Sequence, residues 1–180
     1  MSNVFSDNTR SKSEGATPRT SLHTNVEQEG LMSKESNKPI DCPSSQATAE
    51  GARIFGVITG TPEHHRVGYL TETVPITDKV FEIAGEAKPS QLFRIAAPCA
   101  GDGCKHFKGN TCSLAKRIVE GVAAVVNALP ACEIRPTCRW FRQEGKEACF
   151  RCPQVMTDKS NASHYEKQIA DVDSSLFRSD

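Results

Sequence analysis

Two stretches in the middle of the chain carry short apolar runs with strand character. ARIFGVITG (Ala52 to Gly60) is rich in β-branched residues and ends on a glycine. RVGYLTETVPIT (Arg66 to Thr77) places Val67, Tyr69 and Thr71 at alternate positions, and the residues between the two runs include Pro62. This pattern predicts two strands joined as a hairpin. Thr77 or Asp78 can then cap a short helix through Val80, Phe81 and Ile83. Beyond Pro89, LFRIAAPC (Leu92 to Cys99) reads as a third strand.

The period then changes. Leu114, Ile118, Val122, Val125 and Leu129 recur at spacings of four, four, three and four, with Lys116, Arg117 and Glu120 off the stripe. That predicts one main amphipathic helix, capped by Thr111 or Ser113 and ended by Pro130. CRWFRQEGKEACFRC shows no alternation and predicts a short helix around Trp140 to Glu147, interrupted at Gly145. SHYEKQIADVDSSLF has the makings of one more short helix. No internal repeat is present.

Residues 1–50 are rich in Ser, Thr, Asn, Glu and Lys, and carry no apolar periodicity. Such a segment buries too little apolar surface to offset its chain entropy, so it predicts a disordered tail. Cys42, in DCPSS, stands alone there and reads as a free surface thiol. Residues 158–180 are also polar and read as a C-terminal tail. The domain expected between them, residues 51–157, is a small α+β unit with a β-hairpin or short sheet, one main amphipathic helix and cysteine-rich metal-binding loops.

Formal charge balances at zero, so the molecule as a whole exerts no long-range pull on nucleic acid or anionic lipid. No apolar run is long enough to span a membrane. The first residues lack the apolar stretch of a signal peptide, which points to the cytoplasm. In that compartment, clustered cysteines signal metal or redox chemistry more often than disulfides.

The cysteines carry the chemistry. Seven of the eight lie between Cys99 and Cys152, reading C-x4-C-x-H-x5-C and then C-x5-C-x10-C-x2-C. The first set is Cys99, Cys104, His106 and Cys112. The second is Cys132, Cys138, Cys149 and Cys152. Each supplies four soft or borderline ligands, as a tetrahedral Zn2+ or a 4Fe-4S cluster requires. Cys149-x2-Cys152 lets both sulfurs face one centre, and Pro153 follows directly, as a proline often follows the last cysteine of ferredoxin-type clusters. A Cys3His set suits zinc. The glycines Gly101, Gly103 and Gly109 let the first loop fold around a point. Ligands could also mix between the sets, and spacing alone does not fix the pairing.

Other residues say less. His64 and His65 read as solvated loop residues. Arg135, Arg139, Arg142, Lys146 and Arg151 surround Trp140 and Phe141, a composition that can stack on RNA bases. Glu133, Glu144 and Glu147 dilute that field and rank nucleic acid behind the metal reading. No P-loop, GxGxxG, HExxH or GxSxG appears, so none of the common enzyme signatures is present.

At FRIAAPCAGDGCKHF, CSLAKRIV, LPACEIRPTCRWFRQEGKEAC and CPQVMT the chain resembles a family of small cysteine-rich bacterial proteins sometimes labelled "nitrogen fixation protein". The likeness runs from about Ile54 to Thr157. It brings no established activity to any residue; its label fits an iron–sulfur or accessory role. The leading expectation is a metal-binding accessory protein that works through a protein partner. A redox carrier or sensor with an iron–sulfur cluster comes second, and an RNA-binding zinc module third.

Overall fold

Four strands form one antiparallel sheet in the computed structural model, which describes residues 39–61 and 64–171. They are β1 (Asp41–Cys42), β2 (Arg53–Gly60), β3 (His65–Pro75) and β4 (Phe93–Pro98), in spatial order β1-β4-β2-β3. The expected hairpin is β2–β3, paired from Arg53↔Pro75 to Gly60↔His65. The expected third strand is β4, which lies on the other side of β2. Arg94, Ile95, Ala96 and Ala97 are buried in succession there, because packing covers both faces of an inner strand.

A β-bulge interrupts β2 between Ile54 and Gly56. It leaves Ile54, Phe55 and Gly56 buried in a row, where strict alternation would turn the middle side chain outward. Phe55 is thereby sent into the interior with no exposed surface. Gly56 sits at a close approach within the hairpin: a Cβ there would lie 2.7 Å from Val67 Cγ1.

Two short helices, α1 (Asp78–Ala84) and α2 (Pro89–Leu92), connect β3 to β4. After β4 the chain makes a small hairpin, β5 (Phe107–Lys108) and β6 (Thr111–Cys112). Its turn, Gly109-Asn110, has φ of 54° and 69°, the two positive values of a tight hairpin turn. Four helices follow: α3 (Ser113–Gly121), α4 (Arg139–Glu144), α5 (Lys146–Arg151) and α6 (His164–Ala170). α3 packs on the other three. Ala115, Ile118, Trp140, Ala148 and Ile169 share that core. Gly145, with φ of 62°, separates α4 from α5 at the expected interruption. α6 starts in a capping box, with the Glu166 N–H donating to Ser163 Oγ at 3.2 Å and the Ser163 N–H to Glu166 Oε2 at 2.8 Å.

The main helix is shorter than its stripe predicts. It stops at Gly121, and Val125 and Leu129 are exposed. Glycine and the β-branched residues after it favour helix weakly. Tertiary bonds take over instead: Arg151 Nε donates to Val122 O at 2.6 Å, and the Val125 N–H to Phe150 O at 2.9 Å.

Residues 39–50, expected within the tail, belong to the fold. β1 pairs with β4, and Ala47 packs with Ala52, Ile54 and Ile95. The rest of that expectation, residues 1–38, lies outside the described residues. Residues 158–171, expected in the C-terminal tail, include α6 with Ile169 buried, while residues 172–180 lie outside the described part. Among the described residues no helix is long and apolar enough to cross a membrane.

Asp158 ties the end of the cysteine region back to the sheet. Its carboxylate accepts from Ser90 Oγ at 2.6 Å, Gln46 Nε2 at 2.8 Å and Lys88 Nζ at 3.2 Å. Partial burial alone would raise this carboxyl; the three donors outweigh it and hold it below its ordinary value. A carboxyl depressed in the folded state stabilises fully above its unfolded value of about 3.9, and that contribution fades as pH falls through the folded value. Asp158→Asn should therefore cost about 1–2 kcal/mol in urea unfolding at pH 7. The difference from wild type should shrink as pH falls below about 3.9 and on through the lower folded value. A difference independent of pH would assign the loss to packing.

Candidate metal centre

Cys132, Cys138, Cys149 and Cys152 line one pocket, partly open to solvent. Three elements bring them there. Cys132 lies on the coil before Ile134, which packs on Phe55 and Ala96 of the sheet. Cys138 immediately precedes α4, and a β-bridge joins it to Asp41 of β1. Cys149 and Cys152 lie on and just after α5. Phe55, Tyr69, Trp140 and Phe141 supply much of the apolar wall.

Donors are aimed at all four sulfurs. Cys132 faces the Ile134 N–H, and Cys138 faces those of Phe141 and Trp140. Arg135 reaches Cys149. Tyr69 hydrogen-bonds to Cys152, and Arg94 Nη2 lies 3.5 Å from the same sulfur. Donors directed at sulfur stabilise a thiolate far more than a thiol.

Arg94 is the unusual member. It has no exposed surface. Its guanidinium donates to Cys152 O at 2.7 Å, to Pro43 O at 3.0 Å and to Val155 O, and lies over the Phe55 ring at 5.5 Å. Every acceptor it reaches is a carbonyl or the Cys152 sulfur. Arg135, over the Phe141 ring, keeps Nε and Nη2 buried without hydrogen-bond partners. A buried cation normally has a negative partner, because desolvating an unpaired charge is costly. Two guanidinium groups thus stand beside thiols of this set, Arg94 at Cys152 and Arg135 at Cys149, with no carboxylate bonded to either among the described residues.

The thiols have the opposite problem. Burial, aided by their mutual proximity, pushes Cys132 up to about 11 and Cys138 up to about 12, and raises Cys149 as well. Without added positive charge they remain protonated at neutral pH. Among the described residues no three His, Cys, Asp or Glu side chains converge on a point that would hold a single ion.

The first set separates differently. Cys99 follows β4, Cys104 follows a 3-10 turn at Gly101–Gly103, and Cys112 ends β6 and precedes α3. Cys112 interacts electrostatically with Cys99 and Cys104. His106 does not join them. Its Nδ1 accepts from Arg117 Nη2 at 3.1 Å. Burial, then the Arg117 and Lys105 charges, lower it to about 4, so the ring is neutral. An arginine can only donate, so the ring proton sits on Nε2, and neither nitrogen offers a free lone pair.

Cys42 was expected to be a surface thiol, but it is half-buried in β1, and burial raises it. A two-residue edge strand has no alternation to read. The Gly109-Asn110 turn, in contrast, is a hairpin signal the sequence does carry. All eight cysteines are free thiols. Trp140, expected on a stacking surface, is almost fully buried. His65 is also held, with Nε2 2.6 Å from Gln154 O.

Arg94→Met should strip donors from three buried carbonyls and cost about 3 kcal/mol or more in denaturant unfolding. Arg94→Lys should recover little, since an ammonium cannot span the same acceptors. A loss under about 1 kcal/mol would show that water replaces the guanidinium readily.

Comparison of the chain with protein-family models, with characterised proteins and with solved structures finds no match.

Proposed function

We propose that the chain is a metal-binding protein that holds an iron–sulfur cluster on Cys132, Cys138, Cys149 and Cys152, and acts as an accessory or redox protein through a protein partner. The carrying observation is the pair of guanidinium groups, Arg94 beside the Cys152 sulfur and Arg135 beside Cys149, with no carboxylate bonded to either among the described residues. Four thiolates around a divalent ion, or around a cluster core of the same charge, retain two net negative charges. Two arginines balance that charge. The metal supplies what makes buried thiolates tenable, and the thiolates supply what makes buried guanidiniums tenable.

Zn2+ is the alternative occupant. Its four sulfurs must close to about 2.3 Å from one point. Four cysteines lining one largely apolar pocket, with no three-ligand point for a single ion among the described residues, favour the larger cluster. Donors to those sulfurs and a hydrophobic wall are the features that tune a cluster's potential. Cys132, Cys149 and Cys152 keep part of their surface exposed, which leaves an edge for a partner to approach. The RNA-binding reading loses its support with Trp140 in the core.

Anaerobically isolated protein should be brown, absorb at about 400 nm, and contain iron and acid-labile sulfide. Cys149→Ala should lose that share of both. A colourless protein with stoichiometric zinc would replace the cluster by the alternative ion, and a protein free of metal after anaerobic isolation would refute the reading.

A further inference from the structure

The first set of cysteines lacks a fourth ligand once His106 is turned aside, and β1 brings one to it. Cys42 pairs with Ala97 and Asp41 with Pro98, so the strand carrying Cys42 lies along the end of β4 that leads into Cys99. The Cys99 N–H donates to Ile40 O at 2.7 Å, which fixes the two segments together at the ligand positions. On the other side, the β5–β6 hairpin returns the chain to Cys112, and the Ser113 N–H binds His106 O at 2.7 Å. The Phe107 N–H donates to Cys104 O at 2.9 Å, holding Cys104 at the base of that hairpin. Cys42 interacts electrostatically with both Cys112 and Cys99.

The geometry points to a second thiolate site, formed by Cys42, Cys99, Cys104 and Cys112, that takes a thiophilic metal centre of the same class as the first, with His106 outside it. The inference rests on the reading that these cysteines bind metal at all. All eight cysteines of the chain then fall into two sets of four. The surroundings repeat those of the other pocket. Cys112 immediately precedes α3 as Cys138 immediately precedes α4. The N–H groups of Leu114 and Ala115 face Cys112, two and three residues on, just as those of Trp140 and Phe141 face Cys138. The Ser44 N–H faces Cys42. Donors two and three residues beyond a cysteine are suited to a metal-bound thiolate. The Arg117 donor to His106 Nδ1 excludes the ring as a ligand, since a ligating imidazole donates its second N–H to its neighbour rather than accepting there.

The sites are adjacent. Asp41, next to Cys42 in sequence, bridges to Cys138, and its N–H donates to Thr137 O at 2.8 Å. One strand therefore carries a ligand of one site and braces a ligand of the other.

The test is metal and acid-labile sulfide per chain in the full-length protein isolated anaerobically, for wild type, Cys42→Ala, His106→Gln and Cys149→Ala. Cys42→Ala and Cys149→Ala should each fall to about half of the wild-type content, one centre of two, while His106→Gln keeps all of it. Cys42→Ala at wild-type content, with Cys149→Ala halved, overturns this inference alone. His106→Gln at half overturns it too, in favour of a Cys3His site. Wild type without metal overturns the underlying reading as well. Should Cys42→Ala fail to fold, alkylation of native wild type read by mass spectrometry decides. Cys42 should be protected together with Cys99, Cys104 and Cys112, and all four should become reactive together when chelator is added; Cys42 reactive while the other three stay protected refutes its role.

Discussion

A guanidinium with no exposed surface is the constraint around which this molecule is arranged. Arg94 lies on inner strand β4 and binds carbonyls of Pro43, Cys152 and Val155. Those three come from the segment after β1 and from the chain beyond α5, so one side chain clamps the N-terminal arm, the sheet and the cysteine loops together. Neutral carbonyls bind its two terminal nitrogens, leave Nε without a partner and do not balance its charge. The sulfur of Cys152, 3.5 Å away, is the group that can supply a negative partner. Buried thiols and buried arginines each destabilise the fold when considered separately, and the proposed metal–thiolate centre would resolve both at once.

β1 does for position what Arg94 does for charge. Asp41 is almost completely buried, and Oδ2 accepts from Arg53 Nη2 at 2.5 Å and from Thr137 Oγ1. Its neighbour Cys42 lies opposite Ala97, two residues before Cys99, through the β1–β4 pairing, and the backbone of Asp41 itself bridges to Cys138. Two residues thus link both groups of cysteines. Local hydrogen bonds, not a large apolar core, set these positions, as suits a chain with 6% aromatic residues.

Much of the scaffold is legible in the sequence because periodicity reflects burial. The β2–β3 hairpin, β4, α1, the break at Gly145 and the capped α6 all follow from apolar spacing and stop signals. The end of α3 is not legible, because Val125 and Leu129 continue the stripe while Arg151 and Phe150 capture the backbone. The pocket of the second cysteine group follows from spacing, but Arg94 within it does not: an arginine in a strand reads as a surface residue. Likewise Cys42 is separated from Cys99 by 57 sequence positions (99 − 42), and only strand pairing brings them together. His106 shows the converse, a residue adjacent in sequence to the candidate ligands whose Nδ1 is occupied by Arg117.

X-ray absorption at the metal edge of the anaerobically isolated protein tests the charge-balanced thiolate centres most directly, because it reads the atoms bound to the metal. The first shell should be sulfur alone, at about 2.3 Å for thiolate ligands. A shell containing nitrogen or oxygen would contradict all-thiolate coordination.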